Sequence, residues 1–193
     1  EVGHNWFYGI LGNNERDNTW LDEGLNEYSN IRYWEKKYKN RNNRFVFQDF
    51  IQNKLGIGKD FDIHFFHYLT VASNPYSLDL QPLNISADEN YSYSNYSQNY
   101  NRTAVMMRYL QHYLGEEKID IIMQEFYETW KFRHPGANDF YSVFNKHVDE
   151  DLSPFFKNVF DKSTYIDFGI KKVENGFILE NKGSFNTPVE VAF

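Results

Sequence analysis

The stretch EVGHNWFYGILGNNERDNTWLDEGL, residues 1–25, decides how the rest of the sequence is interpreted. Its first residues contain the pattern Glu-x-x-His, formed by Glu1 and His4. In a His-Glu-x-x-His motif the two histidines lie four residues apart on one helix face, so both can bind one Zn²⁺ beside the glutamate. Glu1 and His4 therefore predict part of a metal site. Taken alone they are a short pattern, and a single histidine on a helix is more often a surface or core residue.

A longer match comes from the residues that follow. In one class of such enzymes the third ligand is a glutamate on the next helix, and Glu23 follows His4 after 18 intervening residues. Here the sequence resembles the aminopeptidase N family of zinc metallopeptidases, the gluzincins, whose motif is His-Glu-x-x-His-x18-Glu. The resemblance includes HNW (4–6), WLDEGLNEY (20–28), YNRTAVMMRYLQHYLG (100–115) and ETWKFRHPGANDFYSVFNK (128–146), and it covers roughly residues 1–165.

The resemblance implies roles for individual residues and implies Zn²⁺ as the cofactor. His4 and Glu23 match zinc ligands. Glu1 matches the general base that activates the water held by the metal, and Tyr100 matches the tyrosine that stabilises the oxyanion. Tyr100 stands among other tyrosines in YSYSNYSQNY (91–100), and only its position two residues before Arg102 and four before Ala104 selects it.

The sequence also departs from the family pattern. The first zinc histidine is absent from the chain, Arg102 stands where lysine is usual, and Thr103 stands where glycine is common. We therefore expect a fragment that begins between the histidine and the glutamate of its own metal helix. With two of three protein ligands, we expect the 193 residues alone to be inactive or nearly so.

The resemblance implies zinc-dependent hydrolysis of peptide bonds in the parent protein, with peptides as substrates. Removal of N-terminal residues is preferred over internal cleavage on the resemblance alone. The alternative is a catalytically dead peptide-binding or scaffold domain that kept the metallopeptidase fold.

Composition narrows the other functional classes. The chain has 193 residues, no cysteine and a net charge of −7, and its basic residues form no stripe. These features exclude disulfides and thiolate metal sites, and they argue against a nucleic-acid partner. No run of residues approaches the ~18 apolar positions that a membrane span needs. The sequence assigns no compartment and no oligomeric state.

Apolar spacings of three and four residues predict a mainly helical chain. Helices are expected over residues 1–11, from a capping box at Thr19 and Asp22 to about Lys39, and over 45–72 with a break at GIGKD. Residues 73–99, including the tyrosine-rich segment, are predicted to be a long connection. Further helices are expected over 102–114, from about Ile119 to Trp130, after a cap at Asn138, and from Ser153 with Pro154.

After residue 162 the apolar period changes to two. Ile166, Phe168 and Ile170 alternate, Asn175-Gly176 predicts a hairpin turn, and residues 189–193 predict another strand. We therefore expect a mainly α fold, the helical C-terminal half of a thermolysin-like (zincin) catalytic domain, with a short β segment at the C-terminus. Residues 1–162 would form the helical lobe, and residues 163–193 would begin a β-rich domain.

Two other patterns have structural explanations. His64 and His67 are three residues apart and could bind a metal, but partial burial beside Phe65 and Phe66 is the better interpretation. An aromatic stripe with helical spacing is expected to be core; it contains Phe126, Trp130, Phe140, Phe144, Phe155 and Phe156.

Overall fold

The computed structural model describes residues 1–38, 63–73, 80–90 and 92–189. Within these ranges the chain is mainly helical and ends in a β-hairpin, as the sequence predicts. None of the described helices is both long enough and apolar enough to span a membrane. The elements are α1 (Thr19–Tyr38), α2 (Ile63–Ser73), α3 (Tyr93–Leu114), α4 (Glu116–Trp130), α5 (Ala137–Lys146), α6 (Ser153–Phe160), β1 (Phe168–Val173) and β2 (Gly176–Asn181).

Trp20 anchors the first turn of α1 in an aromatic core. It is fully buried, its ring centroid lies 4.0 Å from that of Phe160, and the Phe140 ring meets it edge-on. Its indole N–H donates to the side-chain oxygen of Asn84, so the one polar atom of the ring has a partner. The predicted aromatic core is confirmed, with Phe126, Phe140, Phe144 and Phe156 buried and Trp130 and Phe155 packed against them.

Helices α1 and α3 approach closely at Gly24. A Cβ at Gly24 would lie 2.3 Å from the Cβ of Thr103 and 2.5 Å from the carbonyl oxygen of Asn99. Such distances are shorter than van der Waals contact, so only glycine allows the two backbones to come this near. Farther along, the Tyr28 hydroxyl donates to Gln111 at 2.6 Å. The two helices are thus in contact over most of their length.

Residues 1–11 do not form the predicted α-helix. A 3₁₀ turn covers Val2–Asn5, and Tyr8 has a φ of 77°, which ends any right-handed helix there. Val2 is 73% exposed and Trp6 is 48% exposed, whereas Leu11 is buried. The chain leaves the turn because the following residues pair with a distant loop: the Gly12 amide donates to the carbonyl of Arg133.

The tyrosine-rich segment is helical, so its prediction as a loop is wrong. Helix α3 begins at Tyr93, and the Ser92 hydroxyl caps it by accepting from the Asn95 amide. The inward face of this first part is polar, with Asn95, Gln98 and Asn99 buried. A search for apolar periodicity cannot detect such a face, because the helical repeat is carried by amides. Of the predicted 73–99 connection, 74–79 and residue 91 lie outside the described residues.

Smaller predictions have mixed outcomes. The hairpin is confirmed as an antiparallel pair, with Val173 opposite Gly176. Val189 is not in a strand, and residues 190–193, 45–62 and the side chain of His64 lie outside the described part of the chain. The predicted cap at Asn138 is wrong, since α5 starts after Gly136, whose amide donates to Asp139.

Replacement of Gly24 by alanine tests the contact between α1 and α3. The added methyl group overlaps Thr103 and Asn99, so we expect Gly24→Ala to lower the free energy of unfolding by about 1–3 kcal/mol. Gly136→Ala is the control, because the nearest atom to its added Cβ is 3.7 Å away. Urea denaturation compares the two variants. Equal stability of Gly24→Ala and the parent chain would contradict the close approach.

Candidate metal centre

His4 lies next to a close contact between the 3₁₀ turn and α1. A Cβ at Gly3 would lie 1.8 Å from the side-chain oxygen of Asn26, so a larger residue would displace the Asn26 side chain or the turn. The Asn26 amide nitrogen lies 2.9 Å from His4 Nε2. The turn and the helix are therefore in direct contact at the imidazole.

Asp22 binds the other nitrogen of the same ring. Its Oδ1 lies 2.5 Å from His4 Nδ1, and the Asp22 side chain is buried while the histidine is partly exposed. Because Nε2 faces the donor group of Asn26, the neutral ring that fits both contacts carries its hydrogen on Nδ1. That tautomer leaves the Nε2 lone pair directed away from Asp22, and Nε2 is then the nitrogen available to a metal.

Glu23 lies on the Nε2 side of His4. One of its carboxylate oxygens is 3.4 Å from Nε2. Asp22 and Glu23 are consecutive in the first turns of α1, so they reach opposite nitrogens of one ring. Within the described ranges, the metal-compatible cluster consists of His4, Asp22 and Glu23, whose ligand atoms all lie within 4.8 Å of one another.

The prediction that Asp22 caps α1 is wrong. Its carboxylate contacts His4, and the Thr19 hydroxyl donates to the carbonyl of Glu15 at 2.6 Å. Burial raises the pKa of the Asp22 carboxyl to about 6, while the hydrogen bond and the charge of His4 act in the opposite direction. The buried Asp22 carboxylate depends on the His4 imidazole as its hydrogen-bond partner.

Tyr100 reaches the cluster from α3. Its side chain lies near the Glu23 carboxylate, and its ring lies beside Tyr96, with centroids 6.1 Å apart. Burial, followed by the nearby Glu23 carboxylate, raises the pKa of Tyr100 well above its usual range. The hydroxyl is therefore protonated at neutral pH and is a hydrogen-bond donor.

The remaining predicted residues lie outside this cluster. Glu1 is exposed at the start of the 3₁₀ turn and is not part of the group formed by His4, Asp22 and Glu23. His67 is half-buried and its Nε2 contacts Glu27 at 2.8 Å, an ion-pair geometry between α2 and α1. This contact agrees with the structural interpretation of His67.

The donor set fits a zinc ion. Imidazole nitrogen and carboxylate oxygen are both ligands that Zn²⁺ takes in proteins. His4 Nε2 and the Glu23 carboxylate would hold the ion, and Asp22 would orient the imidazole through Nδ1, an arrangement common around metal-binding histidines. When a metal binds Nε2, the Asn26 amide would give up its contact with that nitrogen. The side-chain oxygen of Asn26 is buried and has no hydrogen-bond partner among the described residues.

Sequence reasoning missed Asp22 and Asn26 as members of the site. The signal was present, because Asp22, Glu23 and Asn26 lie within one and a half turns on the same side of α1. An acid in the first turn of a helix is common without any ligand, so the sequence favours a role for Asp22 at the helix terminus. The sequence does not show that the 3₁₀ turn would face this side of the helix.

Comparisons with known proteins identify a family and a similar fold. The family model described as "Peptidase family M1 domain" matches residues 1–159. The chain is similar in fold to the crystal structure of a mutant M1 zinc metallopeptidase from Deinococcus radiodurans, with a TM-score of 0.61 and 15% sequence identity. That match covers 85% of this chain and 32% of the other, so the chain spans about a third of that protein's length. No curated protein matches the sequence.

Removal of the Asp22 carboxylate tests its role as a positioning group. Without an acceptor at Nδ1 the imidazole loses its orientation, so we expect Asp22→Ala to bind Zn²⁺ about 10–100-fold more weakly. Asp22→Asn keeps an acceptor and should lose less. Asp149→Ala, which removes an exposed carboxylate, is the control. Competition with a chelating dye measures the affinities, and an unchanged affinity in Asp22→Ala would rule out the positioning role.

Proposed function

The chain belongs to peptidase family M1, and on that premise we propose that the protein containing it is a zinc aminopeptidase. It would remove N-terminal residues from peptides by hydrolysis. The observation that carries the proposal is the convergence of His4, Glu23 and Tyr100, which come from the 3₁₀ turn, α1 and α3. These are a nitrogen ligand, an oxygen ligand and a protonated hydroxyl, and they meet at one place.

His4 and Glu23 are the proposed zinc ligands. A zinc ion in such a site supplies Lewis-acid chemistry, polarising the scissile carbonyl and making water a better nucleophile. Asp22 keeps the Nδ1 hydrogen of His4 engaged, so that Nε2 stays an acceptor. The Glu23 carboxylate lies 3.4 Å from His4 Nε2 and near Tyr100, which supports a site shared by α1 and α3.

Two residues would move or hold protons. Although Glu1 lies outside the cluster formed by His4, Asp22 and Glu23, we propose, from the resemblance to the family motif, that its carboxylate accepts a proton from the attacking water and returns it to the leaving amine. Tyr100 would donate its hydroxyl hydrogen to the oxygen that becomes negative as the carbonyl is attacked. Its raised pKa supports this role, because a hydroxyl that stays protonated can donate throughout the reaction.

The preference for N-terminal residues over internal bonds rests on the resemblance to the aminopeptidase N family. We further propose that the 193 residues alone hydrolyse peptides poorly. They provide two proposed protein ligands, His4 and Glu23, whereas the family motif has three. The proposed division into a helical lobe, 1–162, and a β-rich part, 163–193, is supported by the end of α6 at Phe160 and by the family match to residue 159.

Tyr100→Phe tests the proposed chemistry in the protein that contains this chain. Loss of the hydroxyl removes a donor used in the transition state, so kcat for an aminoacyl-arylamide should fall by about 10²–10³ with KM little changed. Zinc content should stay the same, because Tyr100 is not a proposed ligand. Tyr93→Phe, on a side chain that is 87% exposed, is the matched control and should keep full activity.

Other results would change the conclusion. If Tyr100→Phe keeps its kcat while Glu23→Gln loses zinc, the metal site stands and the role of Tyr100 is wrong. If the unmodified protein neither retains zinc nor hydrolyses the substrate, the peptide-binding or scaffold function replaces the enzymatic one.

A further inference from the structure

A cavity lies on the side of α3 that faces away from the metal cluster. Its volume is about 720 Å³, and its walls come from α2, α3, the end of α6 and the segment leading into β1. Cavities of this size are typical of small-molecule sites. Most of its lining is apolar, including Val71, Val105, Met106, Ile166 and Phe185.

Two polar side chains of α3 line this cavity with side-chain atoms that have no hydrogen-bond partner among the described residues. Gln98 is 3% exposed, and neither its amide oxygen nor its amide nitrogen has a hydrogen-bond partner among the described residues. Arg102 is 4% exposed, and its Nη1 is likewise without a partner there. The two residues are four apart and so lie on one face of the helix. Buried polar atoms are nearly always paired, so two such groups together call for an explanation.

Part of Arg102 has a structural role. Its Nη2 lies 3.3 Å from the carbonyl of Asn158 and 3.5 Å from that of Lys162, around the C-terminal end of α6. A cation is favourable at that end of a helix. This role uses one nitrogen at long distances, and it accounts neither for Nη1 nor for Gln98.

Among the described residues, no ion pair balances the charge of Arg102. Burial lowers the pKa of the guanidinium to about 10, which still leaves it charged at neutral pH. An uncompensated buried charge is strongly unfavourable, and an anion in hydrogen-bond contact would relieve the penalty.

We propose that this cavity binds a small carboxylate with an apolar tail. The carboxylate would accept from Arg102 Nη1 and from the Gln98 amide, and the tail would lie along the apolar walls. The planar guanidinium has the donor geometry that a carboxylate requires. Asp167 also lines the cavity. Its negative charge repels anions, and this repulsion is stronger for ligands that carry more than one negative charge.

The proposed site is independent of the zinc site. Tyr100 lies between Gln98 and Arg102 in the sequence, and a two-residue step on a helix turns the side chain by roughly 200°. Helix α3 thus presents Tyr100 to the metal cluster and the other two residues to the cavity. The carboxylate could belong to a free organic acid or to the C-terminus of a short peptide, which share this chemistry.

Isothermal titration calorimetry of the 193-residue chain tests the proposal. The probes are 4-phenylbutyrate, its neutral analogue 4-phenylbutyramide, and N-acetyl-alanyl-phenylalanine as a C-terminal carboxylate. We expect at least one acid to bind saturably with a Kd below about 1 mM, and the amide to bind at least tenfold more weakly. Binding of the butyrate without the peptide identifies free organic acids as the ligand class, and the reverse result identifies peptide C-termini.

Gln98→Leu is the decisive variant, because it removes two unpartnered atoms without touching the contacts of Arg102 with α6. We expect at least tenfold weaker acid binding, with the Tm unchanged or higher. His112→Leu, an exposed change on the same helix, is the control and should bind normally. Arg102→Met should abolish binding if it folds. The proposal is overturned if neither acid binds, if the amide binds as well as the acid, or if Gln98→Leu binds with unchanged affinity.

Discussion

Gly24 lets α1 and α3 approach until the backbone of one helix meets the side chains of the other, and the candidate site depends on that approach. Glu23 precedes Gly24 on α1, and Tyr100 lies one turn from Thr103 on α3. A wider separation would take the Tyr100 hydroxyl away from the Glu23 carboxylate. The buried Trp20 fixes the start of α1 from the other side, so the acidic first turns cannot rotate without disturbing the aromatic core.

The chemistry of the candidate site depends on which side chains contact each nitrogen of the His4 imidazole. Asp22 contacts Nδ1, and Glu23 and Asn26 lie on the Nε2 side, so the two ring nitrogens have different surroundings. Consecutive acids on one helix reach both nitrogens because the 3₁₀ turn lies against α1. Gly3 allows that turn to lie against Asn26.

The sequence predicted the features that are carried by apolar periodicity and by specific motifs. The long helix α1, the aromatic core and the β-hairpin have such signals, and the family motif pairs Glu23 with His4, which lie 3.4 Å apart. The failures have physical causes. The first part of α3 buries Asn95, Gln98 and Asn99, so its helical repeat is not apolar. Residues 1–11 carry an apolar repeat, yet Tyr8 adopts a left-handed conformation and pairing with the loop at Arg133 prevails.

The most direct test of the account is the location of zinc in a crystal of the protein that contains this chain, by anomalous scattering at the zinc edge. We expect one strong peak about 2.0–2.2 Å from both His4 Nε2 and a Glu23 carboxylate oxygen. Asp22 should remain on Nδ1, outside bonding distance of the metal. A peak between Nδ1 and Asp22, or no peak at His4 in protein that holds zinc elsewhere, would contradict the assignment of the metal centre.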